Sequence, residues 1–444
     1  MGFVINTTST SAVYAEAWLP DTWYGRYLTV GNGGLGGCID YSNLDYGASL
    51  HFATIGSNNG HDGTSIEGQE FLNKPEVIND FAFRAIHVET VIGKQIVAAY
   101  YRSPHQKSYF LGCSTGGRQG TQAALKYPED FDGIVAGAPP TDWNHLLGLG
   151  VMLARYLGAP YASTSPNFIP SALWDIILAE IVEQCDELDG VKDGIITEPD
   201  TCDFRPEALL CSGDNTTNCL SSDQVETLRK IHEPFFGMEG QLLYPRPDPG
   251  CEADNNANAV LSGTVHPLSS GWYLNAVFND TSYDFSNFSL EDIALADSIN
   301  PGGISTFDGD LSGFRDRGGK FLTYHGRQDG LIPSGNSKRF YNLVSRTLST
   351  PSLDSFYRLF LVPGMFHCIN GPGAAFFGQM YTASNVVNAS THNVLLAMVD
   401  WVEGGMPPDN VTGISLTGEQ RTHCRYPQRS VWDGESWICQ DDNV

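Results

Sequence analysis

The chain has 444 residues, with 25 Lys and Arg against 51 Asp and Glu, for a formal net charge of −26. Such acidity argues against nucleic acid or an anionic membrane as a partner, since both reward basic patches. No apolar run approaches the roughly 18 residues of a membrane-crossing helix, and the length suffices for one large domain carrying a sizeable insertion.

Ten cysteines, none in a C-x-x-C pair, are many for a cytosolic enzyme. With sequons at Asn6, Asn215, Asn279, Asn287, Asn388 and Asn410, they predict a secreted, extracellular glycoprotein. Residues 1–6 lack the basic and apolar regions of a signal peptide.

In chain order, Arg26–Val30 reads as a strand feeding the glycine-rich run from Gly31 to Gly37, and residues 51–55 read as another strand. Phe81, Ala85, Val88, Ile92, Ile96 and Ala99 recur at helical spacing and predict one long amphipathic helix. Tyr109-Phe110-Leu111 is a short buried strand, the helix after it stops near Pro128, and residues 134–136 are a further strand. Strands alternating with helices predict an α/β chain, with a mostly parallel sheet covered by helices on both faces. After Ala138-Pro139-Pro140 the rhythm breaks. Residues 144–317 are rich in Pro, Gly, Asn and aromatics and hold five of the cysteines. They offer two clear helices, Ser171–Cys185 and 225–232, the second with a Ser221/Gln224 capping box. Strands resume at 320–324 and Tyr357–Val362, and residues 394–402 make a packed C-terminal helix. The expected organisation is a catalytic domain of residues 1–143 and 318–444, interrupted by an inserted domain of residues 144–317.

The chemistry begins at Gly112-Cys113-Ser114-Thr115-Gly116-Gly117, between a strand and a helix. Strand, tight G-x-S-x-G turn and helix is the context of a nucleophile elbow, in which glycines let the backbone bend and hold the serine hydroxyl at the tip. In hydrolases with this elbow the acid and then the histidine follow in chain order. Asp329 lies on the loop after the 320–324 strand, and His367 on the loop after Tyr357–Val362. Taken alone, Asp329 reads as a turn cap and His367 as a polar loop residue. In this order after an elbow, they read as a triad. Ser114 would attack a carbonyl carbon, His367 would take and return its proton, and Asp329 would orient and stabilise the imidazolium. The oxyanion hole would use the backbone N–H of Thr115 and that of Gly33 or Gly34. His61 and His325, on loops that reach the same region, read as structural.

Cys113 precedes the expected nucleophile and Cys368 follows the expected base, so a disulfide between them would pin both loops. This Cys-Ser … Asp … His-Cys arrangement resembles the tannase and feruloyl esterase family of secreted ester hydrolases. So do Gly31-Asn32-Gly33-Gly34-Leu35-Gly36-Gly37, Asn58-Asn59-Gly60-His61 and Gly133-Ile134-Val135-Ala136-Gly137-Ala138-Pro139. The resemblance runs over about residues 15–439. It implies an α/β-hydrolase fold in which residues 144–317 form a lid. It also implies a leader and a further cysteine-bearing segment ahead of Ala15, neither of which residues 1–14 carry; Cys38 would have sought its partner there.

Within the insertion, Cys185-Asp186-Glu187-Leu188-Asp189-Gly190-Val191-Lys192-Asp193-Gly194-Ile195 places aspartates close together with glycines between them. Such a loop can aim several oxygens at one point, as calcium requires, or can simply be an acidic turn capping the helix before it. The resemblance implies a structural Ca²⁺ here, bound by the side chains of Asp186, Asp189 and Asp193 and the carbonyls of Val191 and Ile195. Disulfide connectivity does not follow from sequence. Resemblance and short loops suggest Cys113–Cys368, Cys185–Cys202, Cys211–Cys219 and Cys424–Cys439, leaving Cys38 and Cys251 paired together or free.

The expected function is a secreted serine carboxylesterase that forms an acyl-enzyme and needs no organic cofactor. Its substrate would be a small aromatic ester or a feruloylated oligosaccharide from plant cell-wall polysaccharide. A tannase acting on galloyl esters is the alternative within the family. A catalytically inactive, calcium-stabilised binding glycoprotein and a peptidase are the alternatives outside it.

Overall fold

In the computed structural model, which describes residues 1–213, 217–380 and 388–441, the short apolar runs at both ends of the chain pair into one sheet. Its strands are β1 (Gly2–Asn6), β2 (Ala12–Trp18), β3 (Arg26–Val30), β4 (Ala53–Ser57), β5 (Lys107–Cys113) and β6 (Gly133–Gly137). After a small ribbon of β7 (Phe235–Phe236) and β8 (Leu242–Tyr244) come β9 (Lys320–Gly326) and β10 (Tyr357–Val362). The order across the sheet is β1-β2-β4-β3-β5-β6-β9-β10. The β1/β2 and β2/β4 pairings are antiparallel, and every pairing from β4 to β10 is parallel.

Successive side chains of a strand point to opposite faces, and the core divides accordingly. Leu28, Tyr109, Val135 and Leu322 pack under α1 (Tyr41–Ser49) and the C-terminal helix. Their neighbours Tyr27, Phe110, Ile134 and Phe321 pack on the other face, with Ile86, Val97, Ala123 and Ala124 from the helices there. Those helices are α3 (Ala85–Tyr101) and α4 (Thr115–Lys126), while the short α2 (Pro75–Asn79) places Val77 and Ile78 in a separate core.

The insertion holds α5 (Trp143–Tyr156), α6 (Ser171–Cys185), α7 (Ser222–Ile231), α8 (Asn255–Val260), α9 (Pro267–Trp272), α10 (Leu290–Ile299) and α11 (Ser312–Asp316). Helices α5 to α10 share a third core, to which Leu35, Phe71 and Phe81 of the first segment also belong, whereas Phe314 of α11 packs with Tyr27 and Phe321 on the sheet. Helices α12 (Gly335–Thr347) and α13 (Val394–Gly404) complete the sheet's cover. The chain finishes in two hairpins, β11 (Asn410–Ile414) with β12 (Gln420–Cys424), and β13 (Arg429–Trp432) with β14 (Trp437–Gln440).

Several expectations change, each for a local reason. The helix expected through residues 81–99 is broken by a π-turn at Asp80–Arg84. The carbonyls of Phe81 and Ala82 accept from the buried guanidinium of Arg118, at 3.0 and 2.8 Å. Strand β4 starts at Ala53 because His51, at φ 66°, is still turning the chain out of α1. Strand β9 runs through His325, which is therefore on a strand and not a loop.

The insertion carries more than two helices. Helix α5 is disguised by Gly148 and Gly150, since each glycine weakens a helix by about 1 kcal/mol against alanine. A Cβ there would meet Ile293 Cδ1 at 2.8 Å and Ser269 Oγ at 2.6 Å respectively, so both glycines admit close helix neighbours. The bonded cysteine pairs are Cys113–Cys368, Cys185–Cys202, Cys211–Cys219 and Cys424–Cys439. Cys38 is exposed and Cys251 buried, and neither is bonded. The sequon at Asn215 lies outside the described residues.

Candidate active site

The sheet register aligns Cys113 with Gly137, and Gly137 with Tyr324. The loops leaving β5, β9 and β10 therefore emerge along one carboxyl edge, where open α/β sheets bind ligands.

Ser114 sits alone between β5 and α4 with φ 61° and ψ −125°, a conformation that L-residues rarely adopt. Such strain persists only where surroundings over-determine it. Here the Ser114 N–H donates to Gly137 O at 3.0 Å, and its carbonyl accepts from Arg118 N–H at 3.0 Å. A side chain at Gly112 would place its Cβ 2.8 Å from Gly116 Cα, so this turn closes only on glycine.

Asp329 is buried beyond the end of β9. Its Oδ1 accepts the N–H groups of Leu331 (2.9 Å) and Ile332 (2.8 Å), and its Oδ2 lies 2.8 Å from His367 Nδ1 and 3.2 Å from His325 Nε2. Burial alone would raise its pKa. The charge of His367 and the hydrogen bonds of both histidines outweigh that and hold the carboxyl below the ordinary carboxylate range. His367 is pulled both ways as well: burial lowers it, and the Asp329 carboxylate, then Asp254, leave it raised.

His325 shows no exposure. It is held through Nδ1 by Ser337 Oγ at 2.7 Å and through Nε2 by Ile332 O at 2.8 Å, so it stands fixed against the Asp329 oxygen that also meets His367. The Cys113–Cys368 disulfide, with Cα atoms 5.9 Å apart, links the residue before Ser114 to the residue after His367.

The glycine-rich loop is clasped to the nucleophile helix twice. Asn32 and Gln119 exchange two hydrogen bonds of 2.9 Å, backbone N–H to Oε1 and Nε2 to Oδ1. The Thr115 hydroxyl donates to Gly34 O. Gly34, at φ +57°, borders the cavity beside Ser114 and Thr115. Gly33 is exposed, with open space where a side chain would be. His61 lies beneath this loop with Nε2 2.9 Å from Leu35 O, and burial lowers its pKa.

Two compartments meet at Ser114. One is walled by Trp143, Leu146, Leu147, Leu153, Val260 and Leu261. The other is mixed and more polar, with Asn32, Asp40, Ser65, Asn256 and His367 on its walls beside Ile66, Leu268, Leu331 and Met380. Most of the apolar wall belongs to residues 144–317.

Sequence reasoning gave no site role to Asn32, Gln119 or Asp254, and read His325 as structural. The four-residue spacing of His325 and Asp329 was a readable signal. Asp254, whose Oδ2 accepts from the N–H groups of both Gly330 and His367, carries no signal at all in the sequence.

The acidic loop is closed on itself. Asp186 Oδ1 accepts from the Asp193 and Gly194 N–H groups at 3.3 and 2.9 Å, Asp189 Oδ1 from Val191 N–H at 2.9 Å, and Asp193 Oδ1 from Ile195 N–H at 3.0 Å. Asp189 Oδ2 is buried with no hydrogen-bond partner. Among the described residues, no three His, Cys, Asp or Glu side chains form a metal-holding group by themselves. Asp186, Asp189 and Asp193 are no exception. The orphaned carboxylate oxygen in an all-oxygen loop fits a hard cation.

The parallel sheet, the strained serine at its elbow and the carboxylate–histidine pair on the neighbouring loops define an α/β-hydrolase. The sequence model of the family described as Tannase and feruloyl esterase matches residues 4–443. A probable feruloyl esterase B of Aspergillus clavatus is 45% identical over 457 residues, covering 99% of this chain and 86% of the relative. A probable feruloyl esterase B-2 of Aspergillus flavus is 44% identical over 435 residues, covering 95% and 82%. The crystal structure of feruloyl esterase B from Aspergillus oryzae superposes with a TM-score of 0.95 at 42% identity, over 99% of this chain and 89% of that one. Tannin acyl hydrolase from Aspergillus niger shares the fold, with a TM-score of 0.81 at 22% identity over 98% and 84%. The chain belongs to the tannase and feruloyl esterase family and is a carboxylic ester hydrolase.

Proposed function

We propose that this chain is a secreted serine feruloyl esterase acting on hydroxycinnamoyl esters of plant cell-wall polysaccharide. The observation that carries the substrate class is the two-sided cavity. An aromatic acyl group suits the apolar compartment, a sugar alcohol suits the more polar one, and the ester between them is brought to Ser114.

In this reading Ser114 Oγ bonds to the carbonyl carbon while its proton passes to Nε2 of His367, whose Nδ1 is held by Asp329. The backbone N–H groups of Thr115 and Gly34 meet the developing oxyanion. Collapse of the tetrahedral intermediate breaks the bond to the sugar oxygen, which leaves with the His367 proton. Water then adds to the acyl-enzyme by the same route, releasing the free acid and restoring Ser114. Residues 144–317 act as the lid that supplies the acyl pocket. The acidic loop holds a structural Ca²⁺ through Asp186, Asp189, Asp193 and the carbonyls of Val191 and Ile195. Four disulfides and the sequons support secretion.

The apolar wall also bears on the choice between acyl groups. A galloyl ring brings more hydroxyls than a feruloyl or p-coumaroyl ring, and a hydroxyl buried without a partner costs about 1–3 kcal/mol. Values of kcat/KM for methyl ferulate, methyl p-coumarate and methyl gallate test the proposal. The cinnamates are expected to exceed gallate by about tenfold or more; a gallate preference would make the chain a tannase instead.

A further inference from the structure

The Asp329 and His367 loops leave different strands, and strand pairing does not set the distance between their tips. One oxygen atom ties them together. Asp254 Oδ2 accepts the N–H of Gly330, the residue after Asp329, and the N–H of His367, each at 3.1 Å. Its Oδ1 accepts from the backbone N–H and side-chain amide of Asn256, at 3.0 and 3.1 Å, and so caps α8. Asp254 is 3% exposed. Carboxylate hydrogen bonds are about twice as strong as neutral ones, and strengthen further in a low-dielectric interior.

Gly330 makes the approach possible. A Cβ there would lie 2.9 Å from Asp254 Cβ and 2.6 Å from Ala257 N, so any other residue would push the insertion off the loop.

We propose that Asp254, contributed by the insertion, is a positioning residue that sets the Asp329 and His367 loops in catalytic register. The insertion is then a working part of the machinery as well as a wall of the pocket. This rests on the reading of Asp329 and His367 as acid and base.

The ionisable groups around His367 are few. Asp329 faces its Nδ1, and Asp254 lies under its backbone. His325 shares the Asp329 oxygen. Cys251 borders the apolar compartment three residues before Asp254, Glu252 pairs with His232 at 3.0 Å, and Asp248 accepts from Ser334 N–H. The two acids that raise His367 are Asp329 and Asp254. His367 works in its neutral form, so activity climbs with pH through its pKa. Removing the Asp254 charge moves that rise to lower pH.

Asp254→Asn tests the proposal, because one amide cannot accept on both of the sides that the carboxylate serves. We expect kcat on methyl p-coumarate to fall roughly 10- to 100-fold with KM within about twofold. The acid limb of kcat/KM should move to lower pH, and labelling of Ser114 by a fluorophosphonate should slow by a similar factor. Asp254→Glu keeps the charge but lengthens the arm, so its acid limb should stay near the parent's while kcat remains low. Unchanged kcat and labelling rate in D254N would overturn the proposal, as would a fall in kcat with the acid limb unmoved. Should D254N fail to fold, full kcat in D254E would overturn it alone. Labelling does not depend on the acyl group. A parent protein that labels quickly but ignores aromatic esters would refute the substrate reading, leaving the Asp254 result to be read from labelling rates.

Discussion

Asp329 concentrates the electrostatics of the site. Its two oxygens receive two backbone N–H groups and two imidazoles, and this crowd of donors keeps a fully buried carboxyl ionised. Because its folded pKa is depressed, the stability it contributes is complete above the unfolded value of about 4 and is lost as pH falls through the lower folded value. Its charge also raises His367 against the effect of burial. Asp329→Asn should therefore lower kcat by about 10⁴-fold and move the remaining acid limb to lower pH, both read from steady-state pH profiles. A loss confined to KM would contradict the assignment. The order of Ser114, Asp329 and His367 was legible in the sequence because each follows a strand, and the structure pairs Asp329 with His367. Asp254 was not, since the contact it makes spans 76 residues to Gly330 and 113 to His367.

At the scale of elements, the sheet was easier to read than the insertion. Tyr357–Val362 and Ile134-Val135-Ala136 are buried on both faces and read as continuous apolar runs, whereas α5 hides behind its two glycines and the π-turn answers to an arginine more than thirty residues away. Strands β1 and β2 were not anticipated: β1 alternates exposed and half-buried residues at the sheet edge, and the buried positions of β2 are held by the small Val13, Ala15 and Ala17. The acidic loop after α6 is the element whose reading rests on chemistry. Its Asp189 Oδ2 is buried and unpaired, a costly state for a carboxylate unless a cation accepts it. A ligand that binds only the folded state raises its stability by mass action. EDTA should thus lower Tm by several degrees, and added calcium should restore it. An unchanged Tm in EDTA would remove the calcium site from the account.

Over the whole molecule, one mostly parallel sheet presents three loops along a single edge, and residues 144–317 add a core of their own that also takes in Phe71 and Phe81. The outcome is a cavity with one apolar and one mixed, more polar side meeting at a strained serine. The strand–helix alternation made the sheet legible. The cavity was not, because its apolar wall is assembled from residues spread between Trp143 and Leu268, with no local periodicity to join them. The account stands or falls on a hydroxycinnamoyl group passing through Ser114. Turnover of methyl ferulate quenched in acid, digested and analysed by mass spectrometry tests this directly. The account predicts a feruloyl ester on the peptide containing Ser114, absent in Ser114→Ala, while sustained hydrolysis with the acyl group elsewhere, or undiminished in the alanine variant, would contradict it.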